Sequence, residues 1–109
     1  MDDPAPYAAR IRDELTALRA QSDGTAADRA PVELDQTSVG RLSRMDAMQA
    51  QAMAAAVEAR RAARIRALEA ALARIGAGEF GWCDACGEPI DARRLDLDPC
   101  LMRCIACAH

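Results

Sequence analysis

The sequence predicts a mainly α-helical protein in which an antiparallel helical hairpin, packed as a coiled coil, is followed by a small four-cysteine domain. Two segments repeat their apolar residues at helical spacing. The 109 residues include 26 alanines but only 3 aromatic residues, so the apolar content favours helices over a large core. All five cysteines follow residue 82. We therefore predict a hairpin over residues 1–78, with an irregular connection near 22–42, and a cysteine domain over 79–109.

The first predicted helix covers residues 4–21. Its apolar residues recur at spacings of four, four and three, which places them on one face of a helix: Tyr7, Ile11, Leu15 and Leu18. The run Ser22-Asp23-Gly24-Thr25 is typical of a turn, and Pro31 disfavours helix at the residue before it. We therefore expect a break in the helix from Ser22 to Pro31.

The second predicted helix is much longer. Ser43-Arg44-Met45-Asp46 resembles a capping box, so we expect the helix to begin near Ser43 and to continue to Ile75. A helix of about 33 residues is roughly 50 Å long. Gly76 or Gly78 is expected to end it in a left-handed conformation. Its last part carries a coiled-coil pattern: Ile65, Leu68, Leu72 and Ile75. Such a helix needs a partner, and the first helix is the nearest one.

The cysteines form two C-x-x-C pairs separated by 17 residues, with Cys83 and Cys86 in the first and Cys104 and Cys107 in the second. Each pair can offer two thiolates to one ion from a tight turn, and four thiolates complete a tetrahedron around zinc. We therefore predict one structural zinc and a zinc-finger domain. Two redox dithiols or two disulfides are the alternatives. We interpret Cys100 as a small buried residue rather than as a ligand or a redox sensor.

Charge and composition exclude several functions. The net charge of −3 disfavours nucleic-acid binding, and we expect no sequence-specific contact with DNA. No apolar run is long enough to span a membrane. The only histidine is His109, so no catalytic triad can be assembled, and we expect a protein that is not an enzyme. Asp2 and Asp3 stand where a signal peptide would carry positive charge, so we expect a cytoplasmic protein.

Arginines mark two candidate surfaces. Arg93 and Arg94 lie between the cysteine pairs, where they could contact an acidic partner or could pair with Asp91 or Asp96. Four more lie on the long helix, where we favour a solvated face that covers the partner helix over a site for a polyanion. These four are Arg60, Arg61, Arg64 and Arg66.

The cysteine domain resembles the zinc element of the DksA/TraR family. The resemblance rests on residues 78–90, which read Gly-Glu-Phe-Gly-Trp-Cys-x-x-Cys-Gly-Glu-Pro-Ile, on Arg93-Arg94-Leu95, on Pro99 and on the second cysteine pair. It implies a bacterial transcription regulator of the stringent response that binds RNA polymerase directly. Such proteins insert a coiled-coil hairpin into the secondary channel, along the β′ subunit, and alter the stability of promoter complexes.

The resemblance also implies an acidic hairpin tip with the pattern Asp-x-x-Asp-x-Ala. Counting back from the first cysteine at the usual distance reaches Gly40, Ser43 and Met45, none of which is acidic. A shift of three residues brings Ser43 and Asp46 into the pattern, and a third register uses Asp35. We favour Asp46 as the acting carboxylate, with Ser43 and Asp35 as further candidates for contact with the partner.

Two questions stay open after the resemblance. Some basic positions that contact guanosine tetraphosphate in the family fall here on Ala67, Asp98 and Ala108, so the response to that nucleotide is undecided. A different kind of protein also fits the pattern, namely a zinc-ribbon adaptor or stress protein that uses its hairpin to bind another partner. We expect a monomer in either case.

Overall fold

The computed structural model describes residues 3–29 and 41–108, and it forms an elongated molecule of 64 × 28 × 20 Å. Its elements are helix α1 (Ala5–Gly24), a short 3-10 helix (Ala26–Arg29), helix α2 (Arg41–Ala77) and helix α3 (Ala92–Leu97). Within these residues the only β pairing is an isolated bridge between Trp82 and Pro89. The predicted mainly α-helical class is confirmed. None of the described helices combines the length and the apolar character that crossing a membrane requires.

Helix α1 continues for three residues beyond the predicted end, so it ends at Gly24, inside the stretch from Ser22 to Pro31 where a break was expected. Polar side chains satisfy the last carbonyl groups instead of ending the helix early. The Thr25 hydroxyl donates to the Gln21 carbonyl at 2.9 Å, and the Arg29 guanidinium donates to the Ser22 carbonyl at 3.1 Å. The 3-10 helix that follows brings Arg29 into position for this contact. Residues 30–40, the remainder of the predicted connection, lie outside the described part of the chain.

Helix α2 is 37 residues long, or about 55 Å at 1.5 Å per residue. Ser43 lies inside this helix, so its predicted role as the cap was wrong. Arg41 and Leu42 are both good helix formers, and nothing in their chemistry stops the helix at Ser43.

Gly78 ends α2, as one of the two alternatives predicted. Its φ of +76° is a left-handed conformation that an L side chain rarely adopts. The Gly78 amide donates to the Ile75 carbonyl at 3.2 Å, and the Glu79 amide donates to the Arg74 carbonyl at 2.9 Å. These two bonds are the Schellman pattern. The cap turns the chain back toward the helices, where the cysteine segment packs.

The two long helices are antiparallel, because the last turn of α1 contacts the middle of α2, whereas an earlier residue of α1 contacts a later part of α2. Ser22 donates to Glu58 at 2.8 Å, whereas Arg19 pairs with Glu69 at 3.2 Å. One cluster of buried residues lies at the end of this pair and includes both helices and the cysteine segment: Ile11, Leu15, Leu68, Ala71, Phe80, Cys83, Ile90 and Leu95. The hairpin and the cysteine segment therefore share one core across the predicted boundary at residues 78 and 79.

Helix α3 fixes the cysteine segment against α1. Its N-cap is Asp91, whose carboxylate accepts from the Arg93 amide at 2.9 Å. At the other end, the Tyr7 hydroxyl donates to the Asp96 carboxylate and the Arg10 guanidinium donates to the Asp96 carbonyl, both at 2.6 Å. The ring of Tyr7 also packs on Phe80, with 5.3 Å between the ring centroids. Helix α1 thus contacts the cysteine segment through both apolar and polar groups.

Candidate metal centre

The first C-x-x-C pair lies in a tight turn held by backbone hydrogen bonds. The Cys83 amide donates to the Glu88 carbonyl at 2.8 Å, and the Gly87 amide donates back to the Cys83 carbonyl at 2.9 Å. Gly87 has a φ of +75°, so the turn uses the conformational freedom of glycine directly after the second cysteine. At the base of this loop, the Ile90 amide donates to the Gly81 carbonyl at 2.7 Å. Both sulfur atoms therefore project from one rigid loop.

The second pair, Cys104 and Cys107, lies in a similar turn in which the Cys107 amide donates to the Cys104 carbonyl at 3.0 Å. Two contacts dock this turn on the first one. The Asp84 amide donates to the Met102 carbonyl at 2.8 Å, and the Arg103 guanidinium pairs with the Asp84 carboxylate at 3.2 Å. The two loops are thereby held face to face with all four thiols between them.

The four sulfur atoms fit a tetrahedral metal ion. They all lie within 4.8 Å of one another, and the Sγ atoms of Cys86 and Cys104 are 3.6 Å apart. Zinc–sulfur bonds of about 2.3 Å in a tetrahedron place the sulfurs roughly 3.8 Å apart. The spacing and the all-thiolate donor set therefore fit one structural zinc ion.

The electrostatics of the cluster also favour a cation. The backbone amide of Cys104, with those of Cys86 and Ala85, points at the Cys83 sulfur and lowers the pKa of that thiol to about 6. The sulfurs of Cys104 and Cys83 have the opposite effect on Cys107 and raise the pKa of its thiol to about 12. Four thiolates this close repel one another, and a divalent cation removes that penalty.

Cys100 lies outside the four-sulfur cluster. Its side chain is half-buried against the core, and this burial raises the pKa of its thiol. Its amide donates to the Asp98 carboxylate at 3.0 Å, which fixes the backbone leading to the second turn. A thiol of raised pKa is poorly reactive, so the structure favours a packing role over a redox role.

Arg64 links the metal domain to both long helices, a role that the sequence did not reveal. Its guanidinium donates to Glu14 of α1 at 2.5 and 3.3 Å and to Asp98 of the cysteine segment at 2.9 Å. The Glu14 hydrogen bond is the main reason that the pKa of Arg64 is raised. Burial raises the pKa of Asp98, but the Cys100 amide and Arg64 outweigh it, so this pKa lies below its ordinary value.

The other three arginines of the predicted patch on α2 divide into two groups. Arg61 pairs with Glu58 at 2.6 Å and also donates to the Thr25 hydroxyl, so its guanidinium makes its contacts within the hairpin. Arg60 and Arg66 are exposed. Since Arg61 and Arg64 are held by carboxylates, the favoured interpretation of a face that covers the partner helix fits better than a polyanion site.

Arg93 and Arg94 differ in their surroundings. The Arg93 guanidinium is exposed and pairs with Asp91 at 3.0 Å, which is one of the two pairings anticipated. Asp96, the other anticipated partner, accepts from Tyr7 instead. Arg94 is half-buried and donates to the Arg103 carbonyl at 3.4 Å. Contact of this arginine pair with an acidic partner remains a prediction.

Two of the predicted tip residues, Ser43 and Asp46, lie on α2 at the end away from the metal centre. Asp46 is exposed on α2, about 47 Å along the helix from Ala77 at 1.5 Å per residue. Ser43 lies nearby on the same helix, and Asp35 is outside the described residues. The structure therefore separates the candidate tip from the metal centre by most of the length of α2.

Comparison with known proteins relates this architecture to one family. A family model described as "Prokaryotic dksA/traR C4-type zinc finger" matches residues 78–109. A curated relative, "RNA polymerase-binding transcription factor DksA" of Haemophilus influenzae, is 42% identical over 43 residues, or 39% of this chain. The match spans only 30% of that relative.

A solved structure extends the likeness to the hairpin. Transcription factor DksA2 from Pseudomonas aeruginosa superposes with a TM-score of 0.75 over 92% of this chain and 75% of its own, at 22% sequence identity. At that identity the likeness establishes the fold. Residues 78–109 therefore match the C4-type zinc finger of the DksA/TraR family, and the described chain as a whole shares the fold of DksA2.

Proposed function

We propose that this protein is a bacterial transcription regulator that binds RNA polymerase directly and inserts the far end of its hairpin into the secondary channel, along the β′ subunit. The observation that carries the proposal is a 64 Å molecule with a C4 finger at one end of a long helix and an exposed carboxylate toward the other. The relative from Haemophilus influenzae is named an RNA polymerase-binding transcription factor, which supports the proposal. The regulator acts as a monomer in the cytoplasm and is not an enzyme.

The metal has a structural role in this proposal. We assign Cys83, Cys86, Cys104 and Cys107 as the ligands of one zinc ion, because their sulfurs form the four-sulfur cluster. Four protein ligands leave no open coordination position for a substrate. The zinc stabilises the finger, and the finger packs against α1 and α2 through the shared core.

The hairpin has the stiffness that insertion into a channel requires. Polar contacts and apolar side chains join α1 to α2 between Ser22 and the finger. The C-terminal half of α2 is therefore anchored, and its N-terminal half extends beyond these contacts. The net charge of −3 favours a protein surface over DNA as the partner.

Asp46 is the residue that we propose to act inside the channel. Its carboxylate is exposed, and a negative charge delivered there would act on the mobile elements and the charges around the catalytic Mg²⁺. No described hydrogen bond or ion pair of the hairpin uses this side chain. Removal of the charge should therefore affect the partner rather than the fold.

The test has two stages that separate binding from action. Zinc-loaded protein should bind purified core RNA polymerase and should change the lifetime of its promoter complexes. In Asp46→Asn, binding and helix content should be retained while the effect on transcription is lost. Asp13→Asn, which removes an exposed carboxylate from α1, is the matched control and should behave as the wild type.

Two results would contradict the proposal. Failure of the wild type to bind polymerase would reject it and would favour the adaptor alternative. Full activity in Asp46→Asn, with loss in Asp35→Asn, would assign the tip to the earlier register.

A further inference from the structure

The described methionines are exposed, and none belongs to the core. The exposed fractions are 55% for Met45, 61% for Met48, 70% for Met53 and 45% for Met102. The buried cluster consists of isoleucine, leucine, alanine, phenylalanine and cysteine. Methionine is often buried, so these four exposed thioethers contribute little to the core and present their sulfur to the solvent.

Three of these methionines lie together on α2, away from the finger. Met45, Met48 and Met53 fall within nine residues and precede Glu58. Glu58 accepts from Ser22 and pairs with Arg29, and the described polar contacts of α2 with α1 and the 3-10 helix begin there. A chemical change at these three sulfurs therefore leaves the shared core and the described ion pairs untouched.

We propose that Met45, Met48 and Met53 form a site of reversible sulfoxidation. The thioether sulfur attacks one oxygen of a peroxide, the O–O bond breaks, and a S=O bond forms. With hydrogen peroxide, the sulfur loses two electrons, the peroxide is reduced, and the second oxygen leaves as water after proton transfer. A methionine sulfoxide reductase restores the thioether: two of its thiols supply the two electrons and become a disulfide, and the sulfoxide oxygen leaves as water.

The cysteine sulfurs of the described residues are less available to the same oxidant. Cys83 is buried, and although Cys86 is exposed, both belong to the four clustered thiols, which have the spacing of a zinc site and would be bound to the metal. Cys100 is half-buried against the core. The three methionines thus offer the most exposed sulfur of the described hairpin.

Oxidation would change the surface without unfolding the protein. A sulfoxide is polar and carries a strong dipole, so it weakens apolar contact with a partner. The effect on polymerase binding rests on the proposed function, because these methionines flank Asp46 on the helix that we propose enters the channel. The modification itself does not depend on that function.

The first measurement follows the chemistry alone. Zinc-loaded protein is treated with hydrogen peroxide, digested, and examined by mass spectrometry for one added oxygen at each methionine. Met45, Met48 and Met53 should be oxidised about as fast as a methionine in a short unstructured peptide. Helix content and bound zinc should stay unchanged during this time. Oxidation at these positions more than about tenfold slower than in the peptide would overturn the proposal.

The second measurement tests the consequence. Peroxide treatment should weaken binding to core RNA polymerase by about tenfold, and a reductase should restore it. The variant with Met45→Leu, Met48→Leu and Met53→Leu should keep its affinity after treatment. Met102→Leu is the matched control and should remain sensitive.

The outcomes separate the two proposals. Equal loss of affinity in the triple variant would overturn the regulatory role of these methionines. Absence of binding by untreated protein would reject the proposed function, whereas the oxidation rates would still decide whether the site exists.

Discussion

Arg64 is predicted to be a stabilising polar link that joins the finger to both long helices. Replacement of Arg64 by methionine keeps most of the aliphatic stem but removes the guanidinium. The substitution eliminates hydrogen bonds to Glu14 at 2.5 and 3.3 Å and to Asp98 at 2.9 Å. It also leaves the Glu14 carboxylate without its cation, whereas Asp98 keeps the hydrogen bond from the Cys100 amide.

The geometry sets the expected magnitude. The side chains of Arg64 and Glu14 are each 32% exposed, and that of Asp98 is 39% exposed. Fully exposed ion pairs contribute about 0.2–1 kcal/mol, whereas hydrogen bonds to buried charged groups contribute about 1.5–3 kcal/mol each. For this partly screened network we expect Arg64→Met to lower the free energy of unfolding by about 2 kcal/mol. The melting temperature of a domain of this size should fall by roughly 10 °C.

Urea unfolding of the zinc-loaded protein, followed by circular dichroism, measures this loss. Arg66→Met is the matched control, because Arg66 is exposed on the same helix, and it should change stability by less than about 0.5 kcal/mol. A double-mutant cycle with Glu14→Gln should give a coupling energy of about 1 kcal/mol. Equal stability of Arg64→Met and Arg66→Met would refute the assignment of Arg64 as a structural link.

Three further predictions concern the C-terminal cap of α2, the loss of stability at acid pH and the cysteines. Gly78→Ala should destabilise the protein by about 1 kcal/mol because φ is +76°, whereas Gly76→Ala, inside the helix with open space around it, should stabilise it slightly in the same urea experiment. The folded-state pKa of Asp98 lies below its ordinary 3.8, so its contribution to stability is present above that value and is lost as the pH falls through the lowered pKa. Acid titration of Asp98→Asn should therefore show a shallower loss of stability than the wild type, and identical curves would contradict the pairing. In metal analysis, Cys100→Ser should retain one zinc per chain, whereas Cys83→Ser should lose it. Loss of zinc in Cys100→Ser would mean that our ligand set is wrong.

Local patterns in the sequence predicted much of this fold. The helical spacing identified Ile11 and Leu15, which are buried, and the coiled-coil pattern identified Leu68, which is fully buried against them. The spacing of the cysteine pairs predicted a group that the structure brings together. Such features depend on neighbours within a few residues, so a linear sequence displays them.

Other features depend on partners that are distant in the sequence. Arg64 looked like a member of a basic surface patch, because Glu14 and Asp98 lie 50 and 34 residues away from it. Ser22 looked like the start of a turn, yet its hydroxyl donates to Glu58 across the hairpin. The shared core likewise joins Phe80 to α1, which a division at residue 78 does not anticipate.

Site-specific photo-crosslinking to core RNA polymerase tests the proposed function most directly. A photoreactive residue is placed at Arg44, which is exposed two residues before Asp46, and in a second sample at Arg93 on the finger. Zinc-loaded protein labelled at position 44 should crosslink to the β′ residues that line the secondary channel near the active site. Label at position 93 should reach only the outer surface of the polymerase. Absence of a crosslink from position 44, or crosslinks from it only outside the channel, would contradict insertion of the hairpin.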